Sequence, residues 1–171
     1  MASSIKLDEL TISQIHEAYK KGDYTCHELV QAYFDRIEAI DKQGPKLGAV
    51  LAISSTALEE ADALDEQLKT SSKFIGPLHG VPVLLKDQAE TKGLATTYGS
   101  IVARNCKNVP TEDATVVKKL KKAGAVVLGK TTMPGKSFCE RKISPSPKLT
   151  SLGHPETGLR PVSQYHPFRL M

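Results

Sequence analysis

The sequence predicts an α/β fold: a small, mainly parallel sheet flanked by helices and followed by an irregular C-terminal tail. Three observations predict it. Short apolar runs bounded by Gly, Pro or polar residues recur near 49–53, 81–86 and 125–129, the pattern of buried strands. Amphipathic stretches near 12–21, 26–42, 56–69 and 113–123 carry apolar residues at helical spacing. The order strand, helix, strand argues for parallel neighbours joined by right-handed crossovers.

The first helix opens at Thr11-Ile12-Ser13-Gln14, a capping box in which the Thr hydroxyl takes a free amide and the Gln reaches back. Ile12, Ile15 and Tyr19 share one face, and Gly22 stops the run. A second capping box, Thr25-Cys26-His27-Glu28, starts the next helix. Leu29, Val30, Tyr33, Phe34, Ile37 and Ile40 form its apolar stripe, and Gly44-Pro45 ends it. Ala49 to Ile53 is apolar throughout, as suits a strand covered on both faces. Ser54 or Ser55 is expected to cap the third helix. Ala57, Leu58, Ala61, Leu64 and Leu68 face inward there, and Glu59, Glu60, Asp62, Asp65 and Glu66 face solvent. Asp113 or Thr111 is expected to cap the fourth, with Val116, Val117 and Leu120 buried and a lysine-rich opposite face.

Composition narrows the function classes. No run approaches the ~18 apolar residues of a membrane span. The start, Met1 to Lys6, has no apolar signal core, and three widely spaced cysteines form no C-x-x-C pair; a cytoplasmic protein with reduced thiols is expected. Residues 1–135 hold 17 basic and 17 acidic side chains, so the net +4 lies in residues 136–171. Those scattered charges have little aromatic interleaving, so no nucleic acid is expected as a partner. Cys26 and His27 are adjacent and point apart on a helix, which disfavours a metal pair. Neither a metal nor a cofactor is implied.

The stretch with the most chemistry is Gly76-Pro77-Leu78-His79-Gly80-Val81-Pro82-Val83-Leu84-Leu85-Lys86-Asp87. It places Lys86 at the C-terminal end of a buried strand, where catalytic groups gather in α/β sheets. With the following residues through Thr97-Tyr98-Gly99-Ser100, this block resembles the opening of the amidase signature family. Asp113 to Met133, including Gly-Ala-Val-Val-Leu-Gly-Lys-Thr-Thr-Met, resembles it again. The resemblance covers about residues 10–134. It implies the N-terminal part of an amidase signature domain over residues 1–135, and a divergent tail, expected to be disordered, over 136–171.

The family hydrolyses small-molecule carboxamides through a Ser-cisSer-Lys triad. The resemblance implies that Lys86 is its general base. It must be neutral to accept a proton, which burial would favour. Both serines belong to a Gly/Ser-rich segment that these 171 residues do not contain. A truncated chain, inactive alone, is therefore expected. The alternatives are an active amidase with an unusual nucleophile and a non-catalytic binding or regulatory fragment. A sheet with few strands is expected to leave an edge open to self-association.

Three residues and one stretch depart from the pattern or invite other readings. Gln88 stands where the family commonly has Asn. Ser100 matches the family's Gly-Ser but is expected to hydrogen-bond locally. His79 belongs to the turn before the strand. Gly124 to Thr131 spells Gly-x4-Gly-Lys-Thr, a literal phosphate-loop match, but the apolar run lies between the glycines rather than before the first.

Overall fold

The computed structural model describes residues 5–100, 103 and 108–133. The tail, with its expected disorder, lies outside the described residues.

Helix α1 (Ile12–Lys21) and helix α2 (Cys26–Arg36) both open with the expected capping boxes. Gln14 and Glu28 each return to the backbone amide of the capping threonine, at 2.8 Å in both cases. The second helix is not regular to residue 42. Its last turn, Ile37–Lys42, is a π-helix, closed by the Gln43 amide on the Glu38 carbonyl. The widened turn brings the Asp41 carboxylate to the amides of Ala49 (2.6 Å) and Val50 (3.2 Å), where the next strand starts.

Strand β1 (Val50–Ile53), helix α3 (Ala57–Ser71), strand β2 (Pro82–Lys86), helix α4 (Thr115–Lys122) and strand β3 (Val126–Thr131) follow. The sheet order is β1-β3-β2. β2 and β3 are parallel, while β1 runs antiparallel to β3. The expectation of a mainly parallel sheet thus holds for one of the two pairings. The crossover rule governs strands that become neighbours, and β1 and β2 are separated by β3. As an edge strand, β1 is also less covered than its composition suggests: Val50 is buried and Ile53 exposed.

β3 lies at the centre. Val126 and Leu128 face one core with Ile15, Tyr19, Cys26, Leu29, Val30, Ala57 and Ala61. Val127 faces a second, smaller core with Leu85 and Val117. Each fully buried Leu or Val contributes about 1.5–3 kcal/mol relative to an exposed one. Val116, expected in the core, is exposed: Val117 and Leu120 share the inward face of α4, and residue 116 is a hundred degrees away. Two caps also differ. Neither Ser54 nor Ser55 caps α3, whose N-cap Thr56 makes no side-chain cap bond, and the N-cap of α4 is Ala114, which has no polar side chain to make one. Asp113 instead accepts the Lys92 amide at 2.7 Å and pairs with Lys121 at 3.0 Å.

Two glycines are required by close approach. A Cβ on Gly124 would lie 2.7 Å from the His79 Cα, at φ +94°. There the Gly76–Gly80 turn docks on the α4–β3 connection, through the Leu78 amide to the Ala123 carbonyl and the Gly80 amide to the Gly124 carbonyl. A Cβ on Gly129 would collide with the Ala52 carbonyl oxygen of β1. Gly129 sits beside irregularities in both strand pairings.

Candidate active site

β2 ends at Lys86, and the two residues at its end part company. Leu85 and Asp87 turn inward, whereas Leu84 and Lys86 lie on the other face and are exposed. The burial expected around Lys86 is therefore absent: its side chain is exposed.

Asp87 is completely buried and organises the loop beyond the strand. Its carboxylate accepts the Thr97 amide (3.0 Å), the Thr97 hydroxyl (2.7 Å) and the Gly99 amide (3.0 Å). Burial would raise its pKa. The three donors and the nearby Lys130 ammonium outweigh that and hold it below the usual aspartate range. The clamp folds Thr96–Ser100 back over the strand end. Ser100 then bonds locally as expected, its amide to the Thr97 carbonyl and its Oγ accepting the Ala103 amide at 3.4 Å.

Lys130 is the one fully buried lysine among the described residues. Its Nζ donates to the Asp87 carbonyl and to Thr96 Oγ1, both at 3.0 Å. Burial pushes its pKa down, against the pull of Asp87 and Glu90. The Lys–Thr contact has the length of a base–nucleophile pair, but Thr96 is also fully buried, so the pair is a cross-link between β3 and the loop. The phosphate-loop match is overturned here: its Gly-Lys-Thr lies within β3, and Lys130 points into the interior.

The remaining candidates also have places. Gln88 is exposed. His79 is fully buried; its Nδ1 accepts the Ile75 amide at 3.2 Å, and its ring stacks on Phe74. Burial and the neighbouring His16 hold its pKa low. Cys26 is a buried free thiol pushed up to about 12 by burial and Asp65, and no group of His, Cys, Asp and Glu among the described residues could hold a metal. Asp65, expected to face solvent, accepts the Cys26 and His27 amides at 2.8 and 3.0 Å and so completes the N-terminus of α2.

Sequence reasoning missed the Asp87–Thr96–Thr97–Lys130 network. An acidic residue directly after a strand-end lysine, followed by Thr-Thr-x-Gly, was its signal; Lys130 gave none, since burial of a lysine has no local signature.

The geometry is a small α/β sheet with an exposed strand-end lysine and, directly after it, a buried polar clamp, and the comparisons are specific about the family. The amidase family profile matches residues 28–141, and this chain belongs to that family. It is 39% identical over 130 residues to a glutamyl-tRNA(Gln) amidotransferase subunit from Alkaliphilus metalliredigens, covering 75% of this chain and 25% of the relative. The corresponding protein of an Exiguobacterium species is 42% identical over 122 residues, covering 71% and 24%. Among solved structures, the peptide amidase of Stenotrophomonas maltophilia superposes with a TM-score of 0.68 at 37% identity, covering 74% of this chain and 25% of that one. An amidase family protein from Bacillus anthracis gives 0.69 at 34% identity, covering 76% and 25%. The chain spans about a quarter of the length of the relatives it matches. Among the described residues, no helix is long and apolar enough to cross a membrane.

Proposed function

We propose that this chain contributes the proton-accepting lysine of a carboxamide hydrolase, and that residues 1–171 as they stand do not hydrolyse amides. The observation that carries the proposal is the position of Lys86: exposed at the C-terminal end of β2, directly before the buried Asp87, in a chain of the amidase family. In this reading a serine oxygen attacks the carbonyl carbon of a small-molecule amide. The serine proton passes through the bridging serine to Lys86 and returns by the same route to the nitrogen of the departing amine, and water then releases the acid. Lys86 takes that proton only when enclosure disfavours its ammonium. Its side chain is exposed in this structure, and the sequence contains no Gly/Ser-rich segment to supply the hydroxyls. Residues 1–135 then act as the amidase unit, with 136–171 a separate segment.

The test is to assay the purified chain beside Lys86→Ala against simple aryl and aliphatic amides. The expected result is no Lys86-dependent turnover, because a lone base recovers little of a catalytic unit. Clear turnover lost in Lys86→Ala would overturn the inactivity. The exposure of Lys86 also favours a non-catalytic binding role as the second reading, which amide binding without turnover would support.

A further inference from the structure

Residues 73–76 cross from the end of α1 to the end of α4. The Phe74 ring lies between the rings of His16 (centroids 4.3 Å apart) and His79 (4.9 Å), and the Lys20 ammonium stands 5.3 Å from its centroid. The Ile75 side chain closes on Gly124, and the Gly76 backbone lies against Ala123. Lys20 of α1, Lys73, and Lys122 at the end of α4 are thereby brought onto one surface. All three are exposed, and none is in a salt bridge among the described residues, although Glu17 stands one turn before Lys20. The C-terminal ends of α1 and α4 offset about half a charge each, which leaves the surface positive. Two aliphatic side chains stand open among these cations. Ile75 is 53% exposed, and Ile12, one turn before His16 on the same face of α1, is 44% exposed. An apolar centre within a polar rim is the make-up of a protein-binding surface.

We propose that this surface docks an acidic segment of another polypeptide, one with aliphatic side chains among its carboxylates. The proposal is independent of the role of Lys86, which lies at the opposite end of the sheet. Charge complementarity selects the occupant: carboxylates meet the three ammonium groups, and aliphatic side chains cover Ile12 and Ile75. Three other occupants fit less well. Single-stranded nucleic acid is held by aromatic faces under its bases, and both faces of Phe74 are taken by His16 and His79. A membrane surface is held by an apolar helix face, and that of α1, with Ile15 and Tyr19, is turned into the core. The chain's own residues 136–171 carry six basic and two acidic side chains, the same sign as the surface.

The experiment follows the backbone amide shifts of the whole chain by NMR as a short helical peptide is added, with leucines on one face and glutamates on the other. Shifts are expected at Ile12, His16, Lys20, Lys73 and Ile75, with an affinity that falls as salt rises. Lys73→Glu combined with Lys122→Glu should weaken binding about tenfold or more. Lys46→Glu combined with Lys86→Glu changes the net charge equally at the other end of the sheet, where Val50 and Lys86 both pair with Thr131. That pair should change binding by less than about twofold, since charges beyond a screening length act weakly. Ile75→Ala should weaken binding about fivefold, because half of the isoleucine is still open to bury. No binding at millimolar peptide, equal losses in the two charge pairs, indifference to Ile75→Ala, or shifts confined to other surfaces would each overturn the proposal. So would equal binding of the same peptide with glutamine in place of glutamate, or tighter binding of single-stranded RNA or of phosphatidylserine vesicles at the same salt. A dimer of the chain alone that Lys73→Glu with Lys122→Glu dissolves would also overturn it.

Discussion

Replacing Asp87 by Asn keeps the shape of the most connected side chain at the strand end and removes its charge. The parent carboxylate accepts three hydrogen bonds in a fully buried site. Hydrogen bonds to a charged group are worth about 1.5–3 kcal/mol each. In Asp87→Asn one oxygen still serves the Thr97 amide, and the Thr97 hydroxyl can rotate to accept. The Gly99 amide, however, meets an NH2 group and is left unsatisfied, and Lys130 loses its nearby counter-charge. The expected loss is about 2–4 kcal/mol, a large share of a typical domain stability of about 5–15 kcal/mol. Urea unfolding followed by circular dichroism measures it. The pH dependence provides an independent check. Asp87 has a folded pKa below its unfolded value of about 3.9, so its contribution is present above that value and is lost as the pH falls through the lower folded one. The gap between parent and Asp87→Asn should therefore be full at neutral pH and close on acidification below about pH 4. A difference under about 0.5 kcal/mol at neutral pH, or a gap that widens in acid, would refute the account of the clamp.

Three other outcomes follow from the same geometry. Lys86→Ala, at an exposed position, should change stability by less than about 0.5 kcal/mol, whereas Lys130→Ala, which strips the donor from Thr96 and the Asp87 carbonyl, should cost about 3 kcal/mol by the same urea assay. Gly129→Ala should cost about 2–4 kcal/mol, read from the urea midpoint, because the added methyl meets the Ala52 carbonyl oxygen and can be relieved only by parting β1 from β3. His79 has a folded pKa below its unfolded value of about 6.5, so its neutral form stabilises the fold above that value and stability falls with the pH below it; His79→Phe should flatten the thermal midpoint against pH in that window.

Much of the fold was legible where the cause was local. Both capping boxes involve residues three apart, and both formed as written. The strands were marked by apolar runs, and the helices by stripes such as Leu29, Val30 and Ile37. The position of Lys86 at a strand end was legible for the same reason, since the run Val81–Leu85 stops there.

What the sequence by itself determined was thus the identity and order of the elements, the family, and the residue that ends β2. The tertiary structure decided which strands became neighbours, and so that β1 runs antiparallel and lies at an edge. It decided that Asp65 completes the distant helix α2 instead of facing solvent, and that Lys130 is the enclosed lysine while Lys86 is open. These outcomes have one physical reason. Hydrogen-bond partners and burial are set by chain segments tens of residues away, such as Asp87 and Lys130 or Cys26 and Asp65, and no periodicity within a segment encodes which distant surface will meet it.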